Sequence, residues 1–183
     1  HPAWNPRVQT EHAGPASLAN LAYTAAQVGY GILVLDVSTQ ELAPADVIAY
    51  FDAYPPLSGK GTLRQLAALE ALGRTEAVQL AAIDAWNGRD FSSNDEKTFL
   101  ERYARIIPAS LAWTRLDRLL WEGQTTAAER ILPFVDADHR ALARARIVLH
   151  NGGPGVDAAV SAVPPGLADD PGLLYERLRW RRT

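Results

Sequence analysis

Five glutamates, Glu96, Glu101, Glu122, Glu129 and Glu176, are the first residues to weigh for chemistry. Glycoside cleavage takes carboxylates flanking one bond in a cleft. Each of these glutamates falls at a helix end or on a polar helical face, where capping and solvation account for it. His139 and His150 stand near the two ends of one helical stretch. A zinc site would take partners at i, i+4 or a third ligand, so no metal site and no cofactor is expected. No Ser-His-Asp arrangement can be defended. Gly29-Tyr-Gly31 lacks the third glycine and the following Lys-Ser/Thr of a phosphate loop, and no strand or glycine cradle precedes Lys60. No residue is assigned a catalytic role.

The candidate binding feature is basic. Arg140, Arg144 and Arg146 share one helical stretch, and Arg177, Arg179, Arg181 and Arg182 share another. They would meet an anionic partner, or pair with Asp169, Asp170 and Glu176, or form a solvated face. Trp113, Trp121 and Trp180 have rings that could stack on sugars, but their helical spacing places them in the core.

The elements that must position these residues are helices. In the stretch 93–123, Ser93 and Glu96 have capping-box spacing. Phe99, Leu100, Tyr103, Ile106 and Ile107 then trace one apolar stripe of a 3.6-residue period. Pro108 ends that helix and suits the first turn of the next. There Ala112, Trp113, Leu116, Leu119 and Leu120 form a wide apolar face, with Arg115, Asp117 and Arg118 largely off it. Gly123 is the expected left-handed stop.

From Glu41 onward the same pattern is steady. Val47, Ile48, Phe51 and Tyr54 form a stripe that Pro55-Pro56 ends, and 58–61 reads as a turn. Further helices carry Leu63, Leu66, Ala67 and Leu72, then Val78, Ala81, Ala82, Ala85 and Trp86. Thr126 and Glu129 repeat the capping-box spacing. Asp136 or Asp138 opens the helix of Leu142, Ala145 and Leu149, Val156–Val163 is a short helix, and Asp170-Pro171 opens a last one. Residues 1–40 are the least legible. An alanine-rich helix is expected at 17–28, and Ile32–Val37 reads by local preference as a strand, with a helix or an irregular segment as alternatives.

Three segments look alike: Ala71-Leu-Gly-Arg-Thr-Glu-Ala77, Trp121-Glu-Gly-Gln-Thr-Thr-Ala127 and His150-Asn-Gly-Gly-Pro-Gly-Val-Asp-Ala158. Each is a helix end, a glycine turn and a short helix opening with small residues. Units of roughly 30 to 50 residues built from helix pairs indicate an α-solenoid. The expected fold is all-α, a right-handed superhelix of antiparallel helix pairs of the tetratricopeptide-like kind over 41–183, with 1–40 as a separate N-terminal segment.

Composition sets outer bounds. The chain has 183 residues, 48% of them hydrophobic, and a formal net charge of −3. That charge argues against a dedicated nucleic-acid binder. No apolar run, Ile32–Leu35 included, approaches the roughly 20 residues that span a bilayer. With no cysteine there are no disulfides or thiolate metal sites. With no methionine, the chain reads as a fragment or processed form of something longer, from which any export signal has been lost.

Phe99-Leu-Glu-Arg-Tyr103, Arg115-Leu-Asp-Arg-Leu-Leu-Trp121, Ala128-Glu-Arg-Ile-Leu-Pro133, His139-Arg-Ala-Leu-Ala-Arg-Ala-Arg146 and above all Asp169-Asp-Pro-Gly-Leu-Leu-Tyr-Glu-Arg-Leu-Arg-Trp-Arg-Arg182 carry a resemblance. From about Glu41 to Thr183 the chain resembles the α-superhelical, non-catalytic region of soluble lytic murein transglycosylases. His1-Pro-Ala-Trp4 is similar to that family's turn before a helix, whereas 5–40 departs from its pattern. The resemblance implies a periplasmic location and a peptidoglycan glycan strand as partner. It also implies a separate C-terminal lysozyme-like domain that cleaves the MurNAc-GlcNAc bond, giving 1,6-anhydro-MurNAc ends. That domain's Glu-Ser signature is not in this chain, so the resemblance implies the scaffold without the chemistry. The second reading is a generic protein-interaction α-solenoid that binds a peptide or protein.

Overall fold

The structure is a computed structural model that describes residues 42–182. The expectations for 1–40, including the helix at 17–28 and the strand at 32–37, lie outside the described residues. Among the described residues there are nine α-helices and no strand. They are α1 (Pro44–Ala53), α2 (Gly59–Ala71), α3 (Thr75–Gly88), α4 (Ser93–Tyr103), α5 (Leu111–Trp121), α6 (Thr125–Ile131), α7 (Ala137–Asn151), α8 (Val156–Ser161) and α9 (Pro171–Trp180). Single 3₁₀ turns follow α4, α6 and α8. The all-α expectation holds.

The described chain forms two compact units. One comprises 42–85 and 89–106, the other 86–88 and 107–182. The 93–123 stretch is therefore divided at 106/107. Pro108 does not open α5. Tyr103 runs into a 3₁₀ turn, Ala104–Ile106, and α5 starts only at Leu111, whose amide bonds the Pro108 carbonyl at 2.9 Å.

In the first unit Val47, Ile48 and Phe51 of α1 are buried, as are Leu66 and Leu69 of α2 and Val78, Ala82 and Ala85 of α3. Phe91, Phe99 and Tyr103 add a run of rings with successive centroids 4.9 and 5.4 Å apart. Two helix starts are displaced from their expected places. Residues 58–61 are the first turn of α2, where the Ser58 hydroxyl accepts the Gly61 amide at 3.1 Å. The N-cap of α4 is Ser92, which accepts the Asp95 amide at 3.1 Å. Glu96 cannot complete a box with Ser93, because it lies 2% exposed on the inward stripe with Phe99 and Tyr103.

In the second unit α7 is the central element, packing on α5, α6, α8 and α9. Leu142, Ala145 and Leu149 of α7 form the core with Val156, Val163 and Leu173. Asp136 caps α7 by accepting the His139 amide at 2.9 Å, and that bond, followed by the His139 ring, holds the Asp136 carboxyl below its usual range.

Three of the helix ends named as alike in the sequence close in similar glycine turns. After α2, the Arg74 amide bonds the Leu69 carbonyl and the Gly73 amide bonds that of Glu70, both at 2.9 Å. After α5, Gln124 bonds Leu119 at 2.8 Å and Gly123 bonds Leu120 at 3.1 Å. Both are Schellman closures, which need a residue with positive φ; Gly73 and Gly123 have φ of 68° and 71°. The pattern recurs after α7, where Gly152 has φ of 65° and its amide and that of Gly153 bond Leu149 and Val148 at 3.4 Å. After the Gly123 turn, α6 starts at Thr125 with no side-chain cap, and the Thr126–Glu129 box is not used.

Two outcomes follow from these turns and rings. Gly123→Ala should cost more than Gly73→Ala in urea unfolding. Both force an L residue to positive φ, at about 1 kcal/mol or more. Only at 123 would the new Cβ also press on the His150 ring, 3.0 Å away, whereas 73 is open. In the first unit, burial pushes the Tyr103 hydroxyl up to about 12; Arg102 opposes this and Glu70 adds to it. A raised phenol pKa contributes stability that is complete below the unfolded value near 10 and is lost as pH rises toward 12. Stability should fall between about pH 10 and 12 in the parent and fall less in Tyr103→Phe.

Candidate functional site

The arginines singled out from sequence do not form one surface. Arg146, 1% exposed, is inside the second unit. Its Nη1 lies 2.5 Å from Asp117 Oδ1 on α5 and 3.7 Å from Asp170 Oδ1 at the start of α9. Its guanidinium also covers the Trp121 ring at 5.2 Å from the centroid. The cation is thus held by α5 and α9 while its stem belongs to α7. Burying a lone cation costs several kcal/mol, which two carboxylates and a ring offset. Asp170 serves twice, since its side chain also accepts the Leu173 amide at 2.8 Å and caps α9. Gly172 supplies the space: a Cβ there would overlap the Arg146 guanidinium.

Arg140 is also spoken for, donating to the carbonyls of Leu132 at 3.0 Å and Val135 at 2.7 Å. Arg179 approaches Glu176 Oε2 at 3.2 Å and His150 Nδ1 at 2.6 Å. Glu176, whose Oε1 is 3.0 Å from the same nitrogen, is 4% exposed. The solvated setting expected for Glu176 and Glu96 is therefore overturned. Both sit on the inward stripe of their helices, where Glu176 follows Gly172 and Leu173 at i+4 and i+3. Glu101, Glu122 and Glu129 are exposed as expected. Of the seven arginines, Arg144, Arg181 and Arg182 are open to solvent without a side-chain partner among the described residues, and Arg177 is half-buried.

Another arginine was misplaced from sequence. Arg115 is fully buried. It donates to the Trp86 carbonyl at 2.7 Å and lies 4.6 Å from the centre of the Trp86 ring. That carbonyl is in the last turn of α3. A cation there also meets the negative end of the helix dipole.

The tryptophans divide as well. Trp113 packs half-buried on the α7 core and 4.4 Å from the His139 ring. Trp121 and Trp180, expected in the core, are 49% and 38% exposed. Trp121 is the last residue of α5, where the apolar stripe runs out, and its ring is held between Arg146 and Tyr175.

A groove of about 560 Å³ in this unit has an apolar lining that includes Leu132, Ala141, Ile147 and Val148, with Glu129 and Arg144 as its charged residues. It offers one carboxylate, not a flanking pair. Among the described residues no cluster of three His, Asp or Glu could hold a metal ion. No helix among them is long and apolar enough to cross a membrane. Comparison with family models, curated proteins and solved structures finds no match.

The Arg146 contacts make a sharp prediction. Gly172→Ala must displace a guanidinium that cannot retreat without leaving Asp117 and Asp170. It should cost about 3 kcal/mol or more in urea unfolding. The neighbouring Asp169→Ala, which breaks no contact to Arg146, should stay within about 0.5 kcal/mol of the parent.

Proposed function

We propose that the chain is the non-catalytic helical scaffold of a periplasmic peptidoglycan lytic transglycosylase. In this reading the scaffold is a superhelix of helix pairs that holds or positions a glycan strand. Cleavage of the MurNAc-GlcNAc bond, leaving 1,6-anhydro-MurNAc ends, belongs to a lysozyme-like domain elsewhere in the parent protein.

One observation carries the reading. Three of the stretches that bear the resemblance, 115–121, 139–146 and 169–182, supply the partners of a single buried contact: Asp117 and Trp121, Arg146, and Asp170 with Gly172. A resemblance confined to scattered surface positions would carry little weight. One gathered on a buried ion cluster fits a shared way of joining helices. The like-built turns at Gly73, Gly123 and Gly152 fit a repeated helical array. The exposed charges suit a scaffold as well, since Arg144 is free to meet the carboxylates of murein peptides. The protein-interaction solenoid stands as a second reading because of the exposed apolar face of α9, formed by Leu174, Tyr175 and Leu178.

The test is a sedimentation assay with purified murein sacculi. The expected outcome is protein in the pellet that is released by salt, no anhydro-muropeptide in the supernatant, and several-fold less pelleted Arg144→Glu. Released product would make the chain itself an enzyme. Absence of binding would sink the murein reading and leave the protein-interaction one.

A further inference from the structure

Among the described residues, the outer side of α9 gathers several exposed large apolar residues on one helix. Its inner side is closed by Gly172, Leu173 and Glu176. On the other side Leu174, Tyr175 and Leu178 are 41%, 52% and 63% exposed. They fall at i, i+1 and i+4, the spacing of one helical ridge. Trp121 extends this surface, its ring centre 5.5 Å from that of Tyr175. The indole is not loose, because the buried Arg146 guanidinium covers it and is fixed by Asp117. Arg177, Arg181 and Arg182 border the ridge, and none of their side chains holds an ion pair among the described residues.

We propose that this face docks an acidic amphipathic helix of a partner protein. Charge complementarity selects the partner: the arginines around the ridge lack counter-charges, and glutamates flanking an apolar stripe would supply them. The shape selects a helix, since a leucine ridge with i, i+4 spacing seats in the groove of another helix. Trp, Tyr and Arg are also the residues that dominate binding energy at protein interfaces, most strongly where they are already fixed in place. A flat sugar suits the site less well. The Trp121 and Tyr175 planes are inclined at 41°, so they offer no common platform, and branched leucines stand beside them. A lipid surface suits it less well too, because Trp121 is pinned and cannot reorient at a membrane boundary. The inference does not depend on the murein reading.

The probe is a labelled synthetic peptide of about 20 residues, long enough to hold a helix, with leucines at i, i+3, i+4 and i+7 and glutamates on both flanks. Fluorescence anisotropy with the whole chain should show saturable binding that weakens as salt is raised. A scrambled peptide of the same composition should not bind. Leu178→Glu, at a site exposed enough to leave the helical circular dichroism unchanged, should weaken binding at least tenfold. Arg181→Glu combined with Arg182→Glu should weaken it and flatten the salt dependence. The proposal is overturned if the designed peptide does not bind, if the scrambled peptide binds equally, or if Leu178→Glu has no effect. It is also overturned if phosphatidylglycerol vesicles or chitin oligosaccharides bind this face and the peptide does not.

Discussion

A buried guanidinium is the constraint on which the second unit depends. Arg146 stands on α7, yet its charge is neutralised by Asp117 of α5 and Asp170 of α9. Each carboxylate alone would leave the cation short of partners, and with neither it could not remain inside. The three helices therefore have one arrangement in which Arg146 is satisfied. Gly172 is required by the same geometry, because the guanidinium fills the place of its side chain. A leucine in place of Arg146 would be easier to bury but would not fix how α5, α7 and α9 register against one another. Here the polar cluster supplies specificity, while the apolar bulk comes from Leu142, Ala145, Leu149, Val156, Val163 and Leu173.

The same solution appears with a different acceptor at Arg115. There a buried guanidinium donates to a carbonyl in the last turn of α3 and lies over the Trp86 ring. Both arginines pair a charge-assisted hydrogen bond in the plane of the guanidinium with an indole face across it. Lysine could not replace either one on equal terms, since it has no flat face to stack and no forked donor set. Four residues beyond Arg146, His150, Glu176 and Arg179 extend the polar seam along α7 and α9.

Helices, their stripes and the glycine stops were legible in the sequence because each is a local property. Gly73 and Gly123 announce left-handed closures, and Val47, Ile48 and Phe51 announce a face. What was not legible depends on partners distant in the chain. Arg115 and Arg146 lie on helices whose sequence pattern marks them as surface charges, and only the approach of the Trp86 carbonyl, Asp117 and Asp170 explains their burial. Glu96 and Glu176 share an inward stripe with apolar residues at i+3 and i+4, a signal that competes with the strong preference of a carboxylate for water. Trp121 went astray in the opposite sense, because a ring at the end of a helix outlasts the neighbour that covers the rest of the stripe. The candidate binding arginines divided for the same reason, some drawn inward by acceptors and some left outside.

The most direct measurement is native-state hydrogen exchange on the Arg146→Met variant, read amide by amide along α9. Methionine keeps most of the volume of the stem and removes the charge that joins Asp117 to Asp170. If the ion cluster fixes α9 to the rest of its unit, the amides of 174–180 should lose about 100-fold in protection, while those of α1 and α2 in the other unit should not change. Unchanged protection in α9 would contradict the account and leave the apolar core alone as what holds that helix in place.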